Sequence, residues 1–416
     1  MSVLSPEEIG LREEGEGAPG PAPSSPSIRQ AIGLAAAVIG LLVAVVACGG
    51  GPLLALTATG PGAPAPTGAA IQQPLGLTVL GVWLGLIVAV EGWRVWQGRP
   101  SRPFRPRYPG LLWLLLVSLI VVGGIASLSE ALTTYLLPPV NTLAMALLPL
   151  LVLTTVGRLL DGRGGTGRDA VVGLVSGASV GPIMALLIEG GAVLIIIVAA
   201  LLLGLLPMEA LQSLQARLND PAFLADPWAL LDSLSPVVVL VALFLFSVVT
   251  PLAEETMKTL GVGLAGRWLR PAPARAFLLG VAAGAGFALI ENVLNGALVS
   301  EIWGLNVVGR LAATVMHCAT GGLMGWGWGQ AWTARRPARL ALAFVVANVL
   351  HGLWNGLAVG LVFSGLVLLD NPADWQGRLM LVGLMLGLLA ALGTVILGAS
   401  VGLLWASRTL GRSDSP

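Results

Sequence analysis

The stretch SPVVVLVALFLFSVVTPLAEETMKTLGVGLAG, residues 235–266, decides how this chain is read. It begins as a continuous apolar run and ends in small apolar residues, with Glu254, Glu255 and Lys258 between them. About 20 apolar residues in a helix cross a bilayer core about 30 Å thick. An ionisable side chain at the centre of such a helix costs about 2.5–3.5 kcal/mol, so it faces a protein interior or a cavity. The stretch therefore predicts a membrane helix with a charged inner face. Pro251, three residues before Glu254, predicts a kink beside that face.

The rest of the chain carries the same signal. Of its 416 residues 56% are hydrophobic and 10% charged, and the mean hydropathy is +0.89. A soluble domain is about 25% charged, so the composition excludes a water-facing surface of ordinary kind. Continuous runs of Leu, Val, Ala and Gly exclude a membrane barrel, whose strands alternate. The fold class is all-α: a polytopic transmembrane bundle of about ten spans, with the lipid bilayer as its surroundings. A net charge of +1 points to no nucleic acid and no acidic partner. Cys48 and Cys318 lie in apolar runs and build no disulfide framework.

Candidate spans fall near residues 31–50, 75–95, 110–130, 139–157, one within 169–206, then 236–266, 276–298, 310–330, 340–368 and 379–406. Residues 1–28 are acidic and rich in Pro, Gly and Ser, which predicts a disordered tail. Residues 29–206 form an N-terminal set of five spans, 207–234 an external amphipathic loop, 235–368 the functional core, and 369–416 the last span and tail. The basic loops at 99–107, 157–168, 266–275, 333–339 and 407–412 orient the spans with both termini cytoplasmic. That orientation needs an odd number of crossings in 169–206. One crossing is assigned, mostly 190–206, after a Gly-rich interfacial or re-entrant segment ending near Glu189. Glu91, Glu130 and Glu189 are read as boundary residues.

Four consecutive spans of the second half carry polar insertions: Glu254, Glu255 and Lys258; Glu291; His317; and Asn348, His351 and Asn355. His317 and His351 are the chain's two histidines. Residues three, four or seven apart share a helix face, so Phe287 aligns with Glu291, and Asn348, His351 and Asn355 form one stripe. Glu254 and Lys258, four apart, can pair locally. Gly321 and Gly325, on the face of His317, allow another helix to approach. The spacing places Glu291, His317 and His351 in the middle third of the bilayer. A carboxylate with imidazoles can activate water and stabilise an oxyanion; alternatively, two His and one or two Glu could bind Zn²⁺ and activate its water. No HExxH motif occurs. The same groups could also serve a proton-coupled transporter or a membrane scaffold, but the first half has no matching polar helices, as inverted repeats would require.

The order Glu254-Glu255-x-x-Lys258, Phe287-x-x-x-Glu291, His317, His351-x-x-x-Asn355 resembles the PrsW family of intramembrane proteases, related to the type II CAAX prenyl endopeptidases. The resemblance covers residues 235–365 and leaves the first five spans outside it. It implies a peptidase of glutamic or metallo type in a bacterial plasma membrane, cutting a membrane protein substrate in regulated proteolysis of a signalling protein. It implies Glu254 as water-activating base with Glu255 beside it, Lys258 as charge partner, and Phe287 packed next to Glu291. His317 and His351 become transition-state or ligand groups, with Asn355 as oxyanion donor and Asn348 in support. A Zn²⁺ ion, if present, would sit on His317, His351 and Glu291. The family's last motif usually ends in Asp, where this chain has Asn355.

Overall fold

The structure, a computed structural model, describes residues 27–58, 68–204, 208–218, 236–295, 302–370 and 375–412. Regular structure among them is helical, apart from one β-bridge between Pro103 and Thr166. Ten stretches are long and apolar enough to cross a membrane, as the sequence predicts. Helices α1 (Ile28–Ala58) and α2 (Gly68–Trp96) form a hairpin, followed by α3 (Pro109–Ala126) and the short α4 (Glu130–Tyr135). Next come α5 (Leu137–Leu159), α6 (Gly167–Leu202) and the short α7 (Met208–Leu218). The sixth span is broken into α8 (Pro236–Phe244), a π turn (Leu245–Val249), α9 (Thr250–Lys258) and α10 (Leu260–Leu269). Helices α11 (Pro273–Leu294), α12 (Trp303–Trp332), α13 (Pro337–Asp370) and α14 (Trp375–Arg412) complete the bundle.

The Gly-rich start of 169–206 is not a separate re-entrant segment. It is the first half of α6, one continuous helix through Pro182. Thr166 and Asp169 start it with a reciprocal capping box that satisfies two otherwise orphaned backbone N–H groups. Its glycine face then lies directly on α11: a Cβ on Gly177 would collide with the Ala283 carbonyl. Helix–helix contact in lipid is driven by this kind of close packing. The expected tail falls on residues outside the described set except for Ser27 and Ile28, and of the expected external loop only α7 is described.

Helix α11 is the axis. Of its most apolar window 83% is buried inside the protein, against 6% for α14. It packs on α5, α6 and α12, and the outer helices turn Leu, Val and Ile outward where lipid would lie. Against α12 the backbones touch: a Cβ on Gly280 would strike the Gly321 carbonyl, and one on Gly284 the carbonyl of His317. Gly284→Leu should therefore push α12 and His317 outward. Overpacking costs about 1–3 kcal/mol, so thermal unfolding of the purified variant in detergent should begin at a clearly lower temperature than in the wild type.

Candidate active site

The broken sixth span builds one wall of the site. In the π turn, Thr250 N–H bonds to the Leu245 carbonyl. The next donor in that register is residue 251, which is proline and has no N–H. The Phe246 carbonyl left over is capped by Asn355 Nδ2 at 3.0 Å. Helix α13 comes close enough to do this because Gly352 faces the Ser247 carbonyl, where any Cβ would collide. Asn355 thus spends its amide on the broken helix, whereas an oxyanion donor was expected. An unpaired carbonyl facing lipid has no water to turn to. Asn355→Leu should cost about 1–3 kcal/mol of stability, and Asn355→Asp, which loses the donor, should not rescue it; unfolding midpoints in detergent measure both.

Beyond the break, α9 turns its polar residues inward. Glu254 is the central residue of the span Val239–Leu269, and His317 and His351 lie next to the centres of theirs. Glu255 and Lys258 are fully buried. Lys258 Nζ donates to Glu255 Oε1 at 2.5 Å and to Thr320 Oγ1 at 3.1 Å, and lies 3.3 Å from His317 Nδ1. Its three donors thus meet three acceptors. The local pair is Glu255–Lys258, three apart, and not Glu254–Lys258. Helix α9 stops at Lys258, with Thr259 at its C-cap, and the ammonium sits between α11 and α12 where Thr320 and His317 receive it.

The two imidazoles sit edge to face, with centroids 5.0 Å apart. Phe287 packs under His317 at 5.3 Å and under Lys258 Nζ at 5.8 Å, an aromatic face for the cation. His351 Nδ1 lies 2.7 Å from Glu255 Oε1. A carboxylate accepts only, so Nδ1 carries the proton and Nε2 keeps its lone pair. That lone pair lies 3.6 Å from Glu254 Oε2, which is buried and has no hydrogen-bond partner. At that separation no direct hydrogen bond joins the two groups.

Glu291 arrives differently from expectation. It lies one turn from the end of α11, not mid-span. Side chains tilt toward the N-terminus of their own helix, so Glu291 leans back to the centre while His317, on the next helix, leans toward it. Glu291 Oε2 lies 2.5 Å from His317 Nε2, and Arg310 holds the other oxygen at 3.1 Å. Arg310 is in turn tied to Asn292 Oδ1, and Asn292 to Thr314. Arg310, Asn292 and Thr320 escaped the sequence reading. Arg310 was findable, since it precedes His317 by seven residues on one face. Glu189 is a further correction: it lies inside the α6 span, with a buried Oε1 that has no hydrogen-bond partner, close enough to Glu291 for their charges to interact. Asn348 returns its amide N–H to the Phe344 carbonyl of its own helix.

The donor set suits a divalent cation. Ligand atoms of Glu254, His317 and His351 lie within 4.8 Å of one another, all buried. Two imidazoles, one carboxylate and a remaining open position are the make-up of catalytic zinc sites. The expected set had Glu291 in place of Glu254; here the two Glu291 oxygens are ion-paired with Arg310 and His317, whereas Glu254 Oε2 has no hydrogen-bond partner. Glu255 on His351 Nδ1 is the outer carboxylate that orients a ligating histidine.

A family model described as PrsW family intramembrane metalloprotease matches residues 170–392, just over half of the chain. The match begins in α6 and ends in α14, wider than the motifs alone indicated. The fifth span is thus inside it, consistent with the packing of α6 on α9 and α11. No curated protein and no solved structure matches the chain.

Proposed function

The chain belongs to the PrsW family of intramembrane metalloproteases, and from that premise we propose that it hydrolyses a peptide bond of a membrane protein substrate at the Glu254–His351 face of this chamber. As a peptidase in a multi-pass membrane bundle it meets its substrate in or beside lipid. The observation that carries the reading is Glu254 Oε2, buried without a hydrogen-bond partner and 3.6 Å from His351 Nε2. A water placed there has an acceptor for its proton, and general-base help of this kind contributes about 10²–10⁴-fold.

Glu254 takes the proton from the attacking water and returns it to the leaving amine. Glu255 and Lys258 hold His351 in the tautomer whose Nε2 is free. His317 is fixed between Lys258 and Glu291, and Arg310 keeps Glu291 in place. Asn355 holds the break that turns Glu254 inward. A divalent cation such as Zn²⁺ would be held by Glu254 and His351, with His317 as third ligand once one of its ring nitrogens gives up Lys258 or Glu291, and would supply Lewis-acid polarisation of the carbonyl and of water. The packed, charge-neutralised wall limits access by bulk water, which strengthens every electrostatic contact inside. Regulated cleavage of a signalling protein, in a bacterial plasma membrane, is the biological setting that the family suggests.

Two measurements test the reading. Membrane proteomics of cells producing wild type or His351→Ala should show truncated membrane proteins only with the wild type. Metal analysis of the purified chain should find about one zinc per chain, lost in His351→Ala. Truncation persisting in the variant would overturn the assignment.

A further inference from the structure

The loop RPSRPFRPR, residues 99–107, is more than a topology marker. Its backbone is stitched to the α5–α6 connection: Phe104 N–H bonds to Gly165 O, Gly167 N–H to Arg102 O, and Arg168 N–H to Ser101 Oγ. Phe104 fills the notch left by Gly157, and Arg158 donates to the Arg107 carbonyl. Proline at 100, 103 and 106 stiffens the chain between these ties. The result is a fixed cleft of about 940 Å³ lined by Arg94, Arg99, Arg102, Arg105 and Arg168, with Glu91 as its one carboxylate. Glu91 is already engaged with Arg94 and Arg168, and Arg105 with Asp161. Arg99, Arg102 and Arg107 make no ion pair among the described residues, and Arg168 Nε is buried with no hydrogen bond, only the 3.8 Å ion pair to Glu91.

Arg94 and Arg99 also line a second groove, of about 390 Å³, with Ala89, Val90 and Trp93. That groove runs along the outer, apolar face of α2, where Val90 and Trp93 are exposed. A basic cleft and an apolar groove sharing two arginines match a molecule with an anionic head and a hydrocarbon tail. We propose that this is a binding site for an anionic phospholipid, its phosphate among Arg99, Arg102 and Arg168 and its acyl chain along Ala89, Val90 and Trp93. A free phosphate would use the cleft but leave the groove unused. Fixed guanidinium groups suit phosphate oxygens because they offer paired donors in one plane.

The test is native mass spectrometry of the full chain, titrated with phosphatidylglycerol or with phosphatidylcholine of identical acyl chains. Wild type should bind phosphatidylglycerol about 25-fold more tightly, about fivefold for each of two arginines. Each arginine near a headgroup is worth about a fivefold change, so Arg99→Gln/Arg102→Gln should bring the two lipids to near equality. Arg102→Gln alone, an exposed side chain whose loss should not unfold the loop, should lose about fivefold. Trp93→Ala should weaken both lipids. Arg408→Gln/Arg412→Gln, which removes equal charge from the C-terminal end of α14, should change nothing. The proposal falls if the double variant keeps its preference, if Arg408→Gln/Arg412→Gln loses it equally, or if millimolar inorganic phosphate displaces the lipid.

Discussion

Glu254→Gln is expected to reduce proteolysis by at least about 10³-fold while the chain still inserts and folds. The substitution keeps the shape of the side chain and removes its charge. It leaves Lys258, Thr320, Glu255 and His317 untouched, because none of them is hydrogen-bonded to Glu254. What disappears is the one free acceptor facing His351 Nε2, together with the carboxylate of the candidate cation site. An amide oxygen is a far weaker base and a poorer ligand. Unfolding temperature should stay close to that of the wild type, or rise, since a buried carboxylate without a partner is costly. Turnover of a membrane substrate and the unfolding curve, measured on one preparation, separate this outcome from simple misfolding.

Lys258→Met should have the largest effect on stability. Lys258 is fully buried and its ammonium serves three acceptors on two helices. Removing it leaves the Glu255 carboxylate buried with His351 as its remaining partner. Breaking such a pair by deleting one member costs about 3–5 kcal/mol, whereas neutralising both members is far milder. Lys258→Met/Glu255→Gln should therefore recover most of the lost stability without recovering activity, since His351 loses the carboxylate that fixes its tautomer. A double variant no more stable than Lys258→Met alone would show that packing of the lysine stem, and not charge, carries the effect.

Much of this architecture is legible in the sequence because lipid is an unforgiving solvent. Apolar runs of the right length report spans directly, and polar residues within them report an interior face. Glu254, Glu255, Glu291, His317 and His351 could be grouped in that way before any coordinates. Finer choices depended on where helices stop. Lys258 chose Glu255 over Glu254 because α9 ends there and its ammonium is received by Thr320 and His317. Asn355 caps Phe246 because a π turn meets a proline, a conjunction no spacing rule anticipates. The continuity of α6 was hidden by its glycines and Pro182, which suggest a break when read alone but give close packing against α11. Arg310 was passed over because it lies near a predicted span end, where arginines usually report only topology.

The central claim is that Glu254 helps water attack a peptide bond inside this chamber. Membranes holding either wild type or Glu254→Gln can be incubated in H₂¹⁸O and analysed for new C-termini within apolar segments. Hydrolysis adds one oxygen of water to each new carboxylate, so the wild type should yield fragments whose C-termini carry ¹⁸O, and Glu254→Gln should yield none. The same labelled fragments in both samples would contradict the account.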